Sequence, residues 1–159
     1  MRKTIVGSGH EAVADKTEWF DLDKLAQVEV SSEDDLFPIE NALGTHGSTG
    51  WRASSTGPQV VRLLFDEPQK LRRILIHVVE PAAERMQEIG VFAELQGVGR
   101  RELRRQQFTF SPGGATEEVE DFAVDLEGVT MLELRIDPDR SHDPKQSREY
   151  ATLMALRVR

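Results

Sequence analysis

Apolar residues at every second position, in short runs separated by turn residues, constrain the fold of this chain most. Leu132, Leu134 and Ile136 share one face of an extended segment, because successive side chains of a β-strand point to opposite faces. The same period of two recurs in seven other runs, which are Leu25–Val30, Gln59–Phe65, Leu71–Val79, Ile89–Ala93, Glu102–Phe110, Phe122–Leu126 and Met154–Val158. Turn residues separate these runs, namely Glu67-Pro68, the loop Pro81–Glu84, the turn Gly97–Gly99 and Gly128. About eight short strands and no long amphipathic helix predict an all-β chain, folded as an antiparallel β-sandwich or jelly roll.

The composition excludes several classes of function. The chain has 159 residues, which suits one domain that buries about 70% of its unfolded surface. Its formal net charge of −8 argues against nucleic acid as a partner, because phosphate backbones are repelled. The absence of cysteine excludes disulfides and cysteine catalysis. No apolar run approaches the ~18 residues of a membrane span, and no secretory signal is apparent, so we expect a cytoplasmic chain.

The domain organisation is simple. Residues 1–18 are polar and aperiodic, so we expect a flexible N-terminal arm there. Residues 19–159 form the sandwich domain, with no internal repeat. Its predicted core consists of the apolar faces of the strands and one tryptophan, namely Trp51, Leu63, Phe65, Ile74, Ile76, Leu132, Leu134 and Leu156.

The stretch from Val28 to Asp66 carries a recognisable pattern. A β-rich segment is followed by S-S-E-x-x-x-x-P-x-E-N-A-L, then S-T-x-W-R-A, then G-P-Q and a hydrophobic strand. The matching residues are Ser31, Ser32, Pro38, Glu40, Asn41, Ala42, Leu43, Ser48, Thr49, Trp51, Gly57, Pro58 and Gln59. The pattern resembles the opening half of discoidin domains, also called coagulation factor 5/8 type C domains. The resemblance extends from about Gln27 to the C-terminus, and it implies a galactose-binding-like jelly-roll sandwich.

The resemblance also implies a position for a ligand site. Sugar-binding relatives use an acidic residue, a polar residue after the tryptophan and an arginine, on loops at one end of the sandwich. Here those positions are Asp35, Arg52 and Arg85, where a carboxylate and two guanidinium groups can bind sugar hydroxyls or an anionic ligand such as a uronate. The family's stacking tryptophan is replaced by Ser55. An aromatic or polar ring would therefore come from Phe37, His142 or Tyr150.

Each of these residues also has a purely structural interpretation. Trp51 beside a predicted buried strand suits the core, and Asp35 suits a turn. Arg52 suits an exposed strand position, and Arg85 could form a salt bridge with Glu84 or Glu88. An Arg85 enclosed in such a bridge would argue against a shared site. The basic run Arg100–Arg105 suits either a solvated strand edge or an electrostatic patch for phosphate or an acidic partner.

Metal and enzyme chemistry find no support in the sequence. Many relatives hold calcium in the turn before the tryptophan, but the carboxylate positions of that site are Gly44 and Thr152 here. Because calcium needs several oxygen ligands, some of them anionic, we expect no metal and no cofactor. No nucleophile elbow, dinucleotide loop or zinc motif is complete. The sequence therefore predicts a non-catalytic binding module for carbohydrate, or alternatively an intracellular module for protein–protein interaction.

Overall fold

The computed structural model describes residues 19–44, 49–140 and 149–159. The predicted arm, residues 1–18, and the predicted ligand residue His142 lie outside these ranges. The described residues contain eight strands and two helical segments of four residues. In chain order they are α1 Leu22–Leu25, β1 Ala26–Val30, α2 Glu40–Leu43, β2 Trp51–Thr56, β3 Gln59–Val79, β4 Arg85–Leu95, β5 Gly99–Phe110, β6 Glu117–Asp137, β7 Tyr150–Leu153 and β8 Ala155–Val158.

The strands pair antiparallel in two sheets. The larger sheet has the order β1-β3-β6-β4-β5, with β8 also paired to β3, and the smaller sheet consists of β2 and β7. The predicted turn at Gly97–Gly99 joins β4 to β5, with Leu95 opposite Gly99. The antiparallel β-sandwich predicted from the period of two is confirmed.

Strands β3 and β6 are longer than the sequence predicted. Glu67-Pro68 was expected to end a strand, and Gly128 was expected to separate two strands. Instead both lie inside continuous strands, where the register between β3 and β6 shifts. Pro68 lacks an N–H, and a shift in register is where a missing ladder hydrogen bond costs least. The shifts divide β3 into two halves, of which the first pairs with β1 and the second with β8.

The core lies between the two layers. All eight predicted core residues are buried, and Trp51 is only 1% exposed. The structural interpretation of Trp51 is therefore correct, and its indole Nε1 donates a hydrogen bond to the main-chain oxygen of Ser32 at 3.1 Å. Gly50 before it has a φ of +71°, and a Cβ there would lie 2.5 Å from the Leu153 oxygen. Only glycine therefore allows β2 to begin this close to β7.

A turn from Asp34 to Phe37 is bonded to the start of β2. The Asp34 amide donates to the Arg52 oxygen at 2.8 Å, and the Arg52 amide donates to the Phe37 oxygen at 3.1 Å. Both partners of this contact belong to the segment that resembles discoidin domains. The pairing brings Phe37 and Arg52 to the same end of the molecule.

Candidate functional site

A pocket of about 630 Å³ opens where β3 ends, β4 begins and β2 pairs with β7. Its volume is in the usual range for small-ligand sites. We call it the Arg52 pocket, and its lining consists of Phe37, Thr49, Trp51, Arg52, Val79, Glu80, Pro81, Ala82, Ala83, Arg85, Glu149, Tyr150, Thr152, Leu153 and Met154. Four residues that the sequence offered for the site, Phe37, Arg52, Arg85 and Tyr150, thus line one pocket.

Arg85 differs from the sequence prediction in its placement. It was expected on an exposed loop, but it is the first residue of β4 and its side chain is 1% exposed. Its Nη1 lies 3.2 Å from Glu80 Oε1 and 3.3 Å from Glu149 Oε2, so its partners are not the expected Glu84 and Glu88. The same nitrogen donates to the Tyr150 main-chain oxygen at 3.0 Å. The prediction of a loop arginine is therefore wrong, and this enclosure in ion pairs argues against Arg85 as a direct ligand contact in a site shared with Asp35 and Arg52.

The two ion pairs do not use all of the Arg85 donors. Its Nε and Nη2 are buried and have no hydrogen-bond partner within the described part of the chain. A buried guanidinium N–H without a partner costs free energy, and a ligand oxygen that accepted from it would remove that cost. Arg85 lines the pocket, but these two nitrogens are closed to solvent, so the role that the structure shows for it is to hold Glu80 and Glu149 in place.

Arg52 and Tyr150 form the second polar part of the lining. Arg52 lies opposite Thr152 in the β2–β7 ladder and is exposed. Its guanidinium carbon lies 5.0 Å from the centre of the Tyr150 ring, which is a cation–π distance. The stacked ring limits the freedom of the Arg52 side chain. An ordered guanidinium loses less entropy when a ligand binds.

The two other predicted ligand residues are Asp35 and His142. Asp35 lies in the turn that carries Phe37, but it is exposed and does not line the pocket. The turn is held by the Asp34 carboxylate, which accepts from the Leu36 amide at 2.9 Å. The role of Asp35 in binding stays a prediction, as does that of His142, which lies outside the described residues.

Sequence reasoning missed the acidic side of the pocket. Glu80 and Glu149 come from segments that are distant in sequence, and both carboxylates contact the Arg85 guanidinium. The Glu80 carboxylate also accepts from the Ala82 amide at 3.2 Å, which fixes the loop with Pro81 along the pocket wall. The loop Pro81–Glu84 was recognisable in the sequence. Its position just before Arg85 was the one signal that could have added it to the site.

The charges of the lining are balanced, with two arginines and two glutamates. Among the described residues, no group of three or more histidine, aspartate or glutamate side chains is placed to hold a metal ion. At the positions of the family's calcium site, Gly44 has no side chain and Thr152 has a neutral hydroxyl whose oxygen is buried. These residues do not fit a calcium ion, which requires anionic oxygens for affinity.

Solved structures of carbohydrate-binding modules have the same fold. A family 32 module (CBM32-3) from a family 31 glycoside hydrolase of Clostridium perfringens is 16% identical, with 91% of this chain and 96% of that chain covered and a TM-score of 0.60. A pectin-binding carbohydrate-binding module is 16% identical, with 85% and 90% covered and a TM-score of 0.59. The family 32 module of Clostridium perfringens NanJ, solved with galactose, is 17% identical, with 88% and 96% covered and a TM-score of 0.54.

The comparisons identify the fold. No protein-family model and no curated protein matches the chain. At these identities the structural likeness shows the fold alone, which is the discoidin-type, galactose-binding-like β-sandwich of family 32 carbohydrate-binding modules. No helix among the described residues is both long enough and apolar enough to cross a membrane.

Proposed function

We propose that this chain is a non-catalytic carbohydrate-binding module and that its ligand occupies the Arg52 pocket. The observation that carries the proposal is the construction of that pocket. It combines a braced, partly unpartnered Arg85, the carboxylates of Glu80 and Glu149, and a guanidinium stacked on Tyr150. Acceptors, donors and an apolar wall thus meet in one cavity.

This combination suits a sugar because a sugar is both a donor and an acceptor. Carboxylates accept from hydroxyl groups, and guanidinium N–H groups donate to hydroxyl and ring oxygens. Pro81, Ala82 and the Tyr150 ring supply apolar surface for the C–H face of a pyranose. The balanced charge of the lining gives no net attraction for a charged ligand, which suits a neutral sugar.

The same contacts argue against catalysis. Hydrolysis of a glycosidic bond typically uses two carboxyl groups, one as acid and one as base or nucleophile. Glu80 and Glu149 both contact the Arg85 guanidinium, so one cation engages both side chains. The solved structures of similar fold are carbohydrate-binding modules as well, which supports a binding role.

A glycan array followed by calorimetric titration tests the proposal. We expect binding to a mono- or oligosaccharide that weakens about tenfold or more in Arg52→Ala, since one charge-assisted hydrogen bond is worth ~1.5–3 kcal/mol. Arg52 is the better target, because it is exposed whereas replacing the buried Arg85 would also disturb the fold. Arg101→Ala, at an exposed position on β5, is the matched control and should bind as the wild type does.

The alternative function is an intracellular protein–protein interaction module. An array without any saccharide hit, together with a partner recovered by pull-down whose binding survives Arg52→Ala, would favour that alternative. The cytoplasmic location stays a prediction, and cell fractionation would test it.

A further inference from the structure

A second pocket lies far from the Arg52 pocket and has a different chemistry. Its volume is about 320 Å³, and its lining consists of Phe20, Lys70, Arg72 and Arg159. We call it the basic pocket. From Arg72 to Glu80 the strand β3 advances roughly 26 Å, at about 3.3 Å per residue. A ligand in one pocket therefore does not touch the lining of the other.

The main chain around the basic pocket is held by hydrogen bonds. The Phe20 amide donates to the Val158 oxygen at 2.8 Å. The amides of Arg72 and Arg73 both donate to the Arg159 oxygen, at 2.6 and 2.9 Å, and the Arg159 amide donates to the Arg73 oxygen at 3.1 Å. These bonds fix the main-chain positions of Arg72 and Arg159.

The charge of this pocket contrasts with the rest of the molecule. Among the described residues, three cationic side chains and one phenylalanine line it, although the whole chain has a net charge of −8. The Lys70 ammonium lies 2.8 Å from the Glu127 carboxylate, but both side chains are largely exposed, so this pair neutralises little. The Asp121 carboxylate also acts on Arg159, so the excess positive charge of this lining comes mainly from Lys70 and Arg72.

Neighbouring contacts hold the aromatic side of the pocket. The guanidinium groups of Arg73 and Arg159 lie 5.4 and 5.8 Å from the centre of the Trp19 ring. Arg73 is in turn held by Asp121 through two hydrogen bonds of 2.7 and 2.6 Å. Trp19 precedes Phe20, so this contact helps to place the Phe20 ring at the pocket. The result is an apolar wall beside a group of cations.

We propose that the basic pocket binds the phosphate or sulfate ester group of an anionic ligand, with Phe20 against the apolar part of that ligand. Arginine forks match the oxygens of a tetrahedral anion, and lysine adds a point charge. An inorganic anion would satisfy the cations alone. An ester would also contact Phe20, which is the reason to favour it. This proposal is independent of the function proposed for the Arg52 pocket.

Titration with phenyl phosphate and phenyl sulfate at low ionic strength, followed by NMR shift perturbation or calorimetry, tests the inference. We expect at least one ester to bind, and Arg72→Gln to weaken that binding about tenfold or more. Added salt should weaken it as well, because the contact is ionic and open to solvent. The ester that binds more tightly identifies whether phosphate or sulfate is the preferred group.

Two controls make the result decisive. Arg101→Gln removes an exposed arginine from β5, outside this pocket, and should leave ester binding unchanged. Inorganic phosphate should bind more weakly than phenyl phosphate, and Phe20→Ala should remove that difference. Absence of ester binding at millimolar concentration, or equal losses in the Arg72 and Arg101 variants, would overturn the proposal. Saccharide binding in Arg72→Gln should stay at the wild-type level.

Discussion

Two glutamates on strand β6 show how differently one residue type behaves in two regions of this sandwich. Glu133 and Glu118 are equally buried, at 1% exposure. Glu133 lies on the outer face of the larger sheet, opposite Arg62 on β3 and Phe92 on β4. Glu118 lies between the layers, opposite Val78, and accepts a hydrogen bond from the Gln87 amide at 2.9 Å.

The two regions shift the pKa of these carboxyl groups in opposite directions. Burial acts to raise the pKa of Glu133, but hydrogen bonds from Arg62, Arg100 and Arg135 outweigh it and lower this pKa to about 2. Burial raises the pKa of Glu118 to about 7, since Gln87 opposes the shift only in part and the nearby Glu120 adds to it. Neighbouring cations, and not burial alone, therefore decide whether a buried carboxyl group is charged.

The remaining contacts of Glu118 suggest where its proton lies. Glu118 Oε2 and Gln87 Oε1 are both buried, and neither has a hydrogen-bond partner in the described structure. A proton on Glu118 would give the acid a donor in addition to the bond that it already accepts from Gln87, and the Glu120 carboxyl group lies beside it. We therefore expect a neutral acid–amide pair inside the sandwich, whereas Glu133 holds a charged cluster outside it.

The largest expected loss of stability comes from a substitution in the core next to Glu133. Because this loss should not depend on pH, it is a reference for the two glutamate variants. Leu134 is 1% exposed on the inner face of β6. Leu134→Ala should lower the free energy of unfolding by ~2–5 kcal/mol, through lost burial and a cavity. Chemical denaturation at pH 5 and pH 8 should give the same loss, because no titratable group is removed. A loss below ~1 kcal/mol would contradict the core position of Leu134.

Glu133→Gln should give the next largest effect. It removes the negative charge that Arg62 and Arg135 contact at 2.6 and 2.7 Å, and that Arg100 also contacts. Since these guanidinium groups remain partly exposed, we expect a loss of about 2–3 kcal/mol at pH 7. The folded-state pKa of Glu133 lies below its ordinary value of 4.5, so its contribution is present above pH 4.5 and is lost as the pH falls toward 2.

Denaturation of the wild type and Glu133→Gln between pH 2 and pH 7 measures this contribution. The two stability curves should separate as the pH rises toward 4.5 and stay parallel above it. Curves that stay parallel over the whole range would show that the arginines do not stabilise the Glu133 charge. Arg101→Gln, which leaves the cluster intact, is the control for loss of an exposed charge.

Glu118→Gln should have a smaller effect of opposite sign. The folded-state pKa of Glu118, about 7, is above its ordinary value of 4.5. Wild-type stability from this group is therefore present below pH 4.5 and is lost as the pH rises through 7. Glutamine keeps an acceptor for the Gln87 amide without a charge, so the variant should be more stable than the wild type by about 1–3 kcal/mol at pH 8. Equal stability of the two proteins at pH 8 would place the pKa of Glu118 near its ordinary value.

The sequence predicted which apolar residues are buried, but it did not predict the partners of the two buried glutamates. Alternating apolar residues placed Leu134 and Ile76 in the core, because a period of two follows directly from strand geometry. The same alternation cannot show which carboxylate meets an arginine. Glu118 and its partner Gln87 are separated by 31 positions, and only the pairing order of the strands brings them together.

The candidate site also contains residues that the sequence predicted and partners that it did not. Arg52 and Phe37 follow from a local motif around Trp51, and both line the Arg52 pocket. Glu149 joins Arg85 only through the position of β7, which no local pattern encodes. Pro68 and Gly128 were expected to end strands, and they lie at shifts in register instead, because long-range pairing on both sides continues the strands. Site residues within a local sequence motif were therefore predictable, whereas partners brought together by strand pairing were not.

The smallest expected effect is that of metal removal, which should be zero. A divalent cation near either glutamate would change the comparison, because it would replace the arginines or the proton as the source of the pKa shift. The groups that the structure supplies at the family's calcium position, Gly44 and Thr152, carry no negative charge.

A metal that binds the folded state raises its stability by mass action, so its removal lowers the melting temperature. EDTA should therefore leave the melting temperature of this protein unchanged in a thermal scan at pH 7, and added calcium should not raise it. A drop of several degrees with EDTA that calcium reverses would show that neutral and main-chain oxygens suffice for a site here, and it would require both glutamate titrations to be repeated without metal.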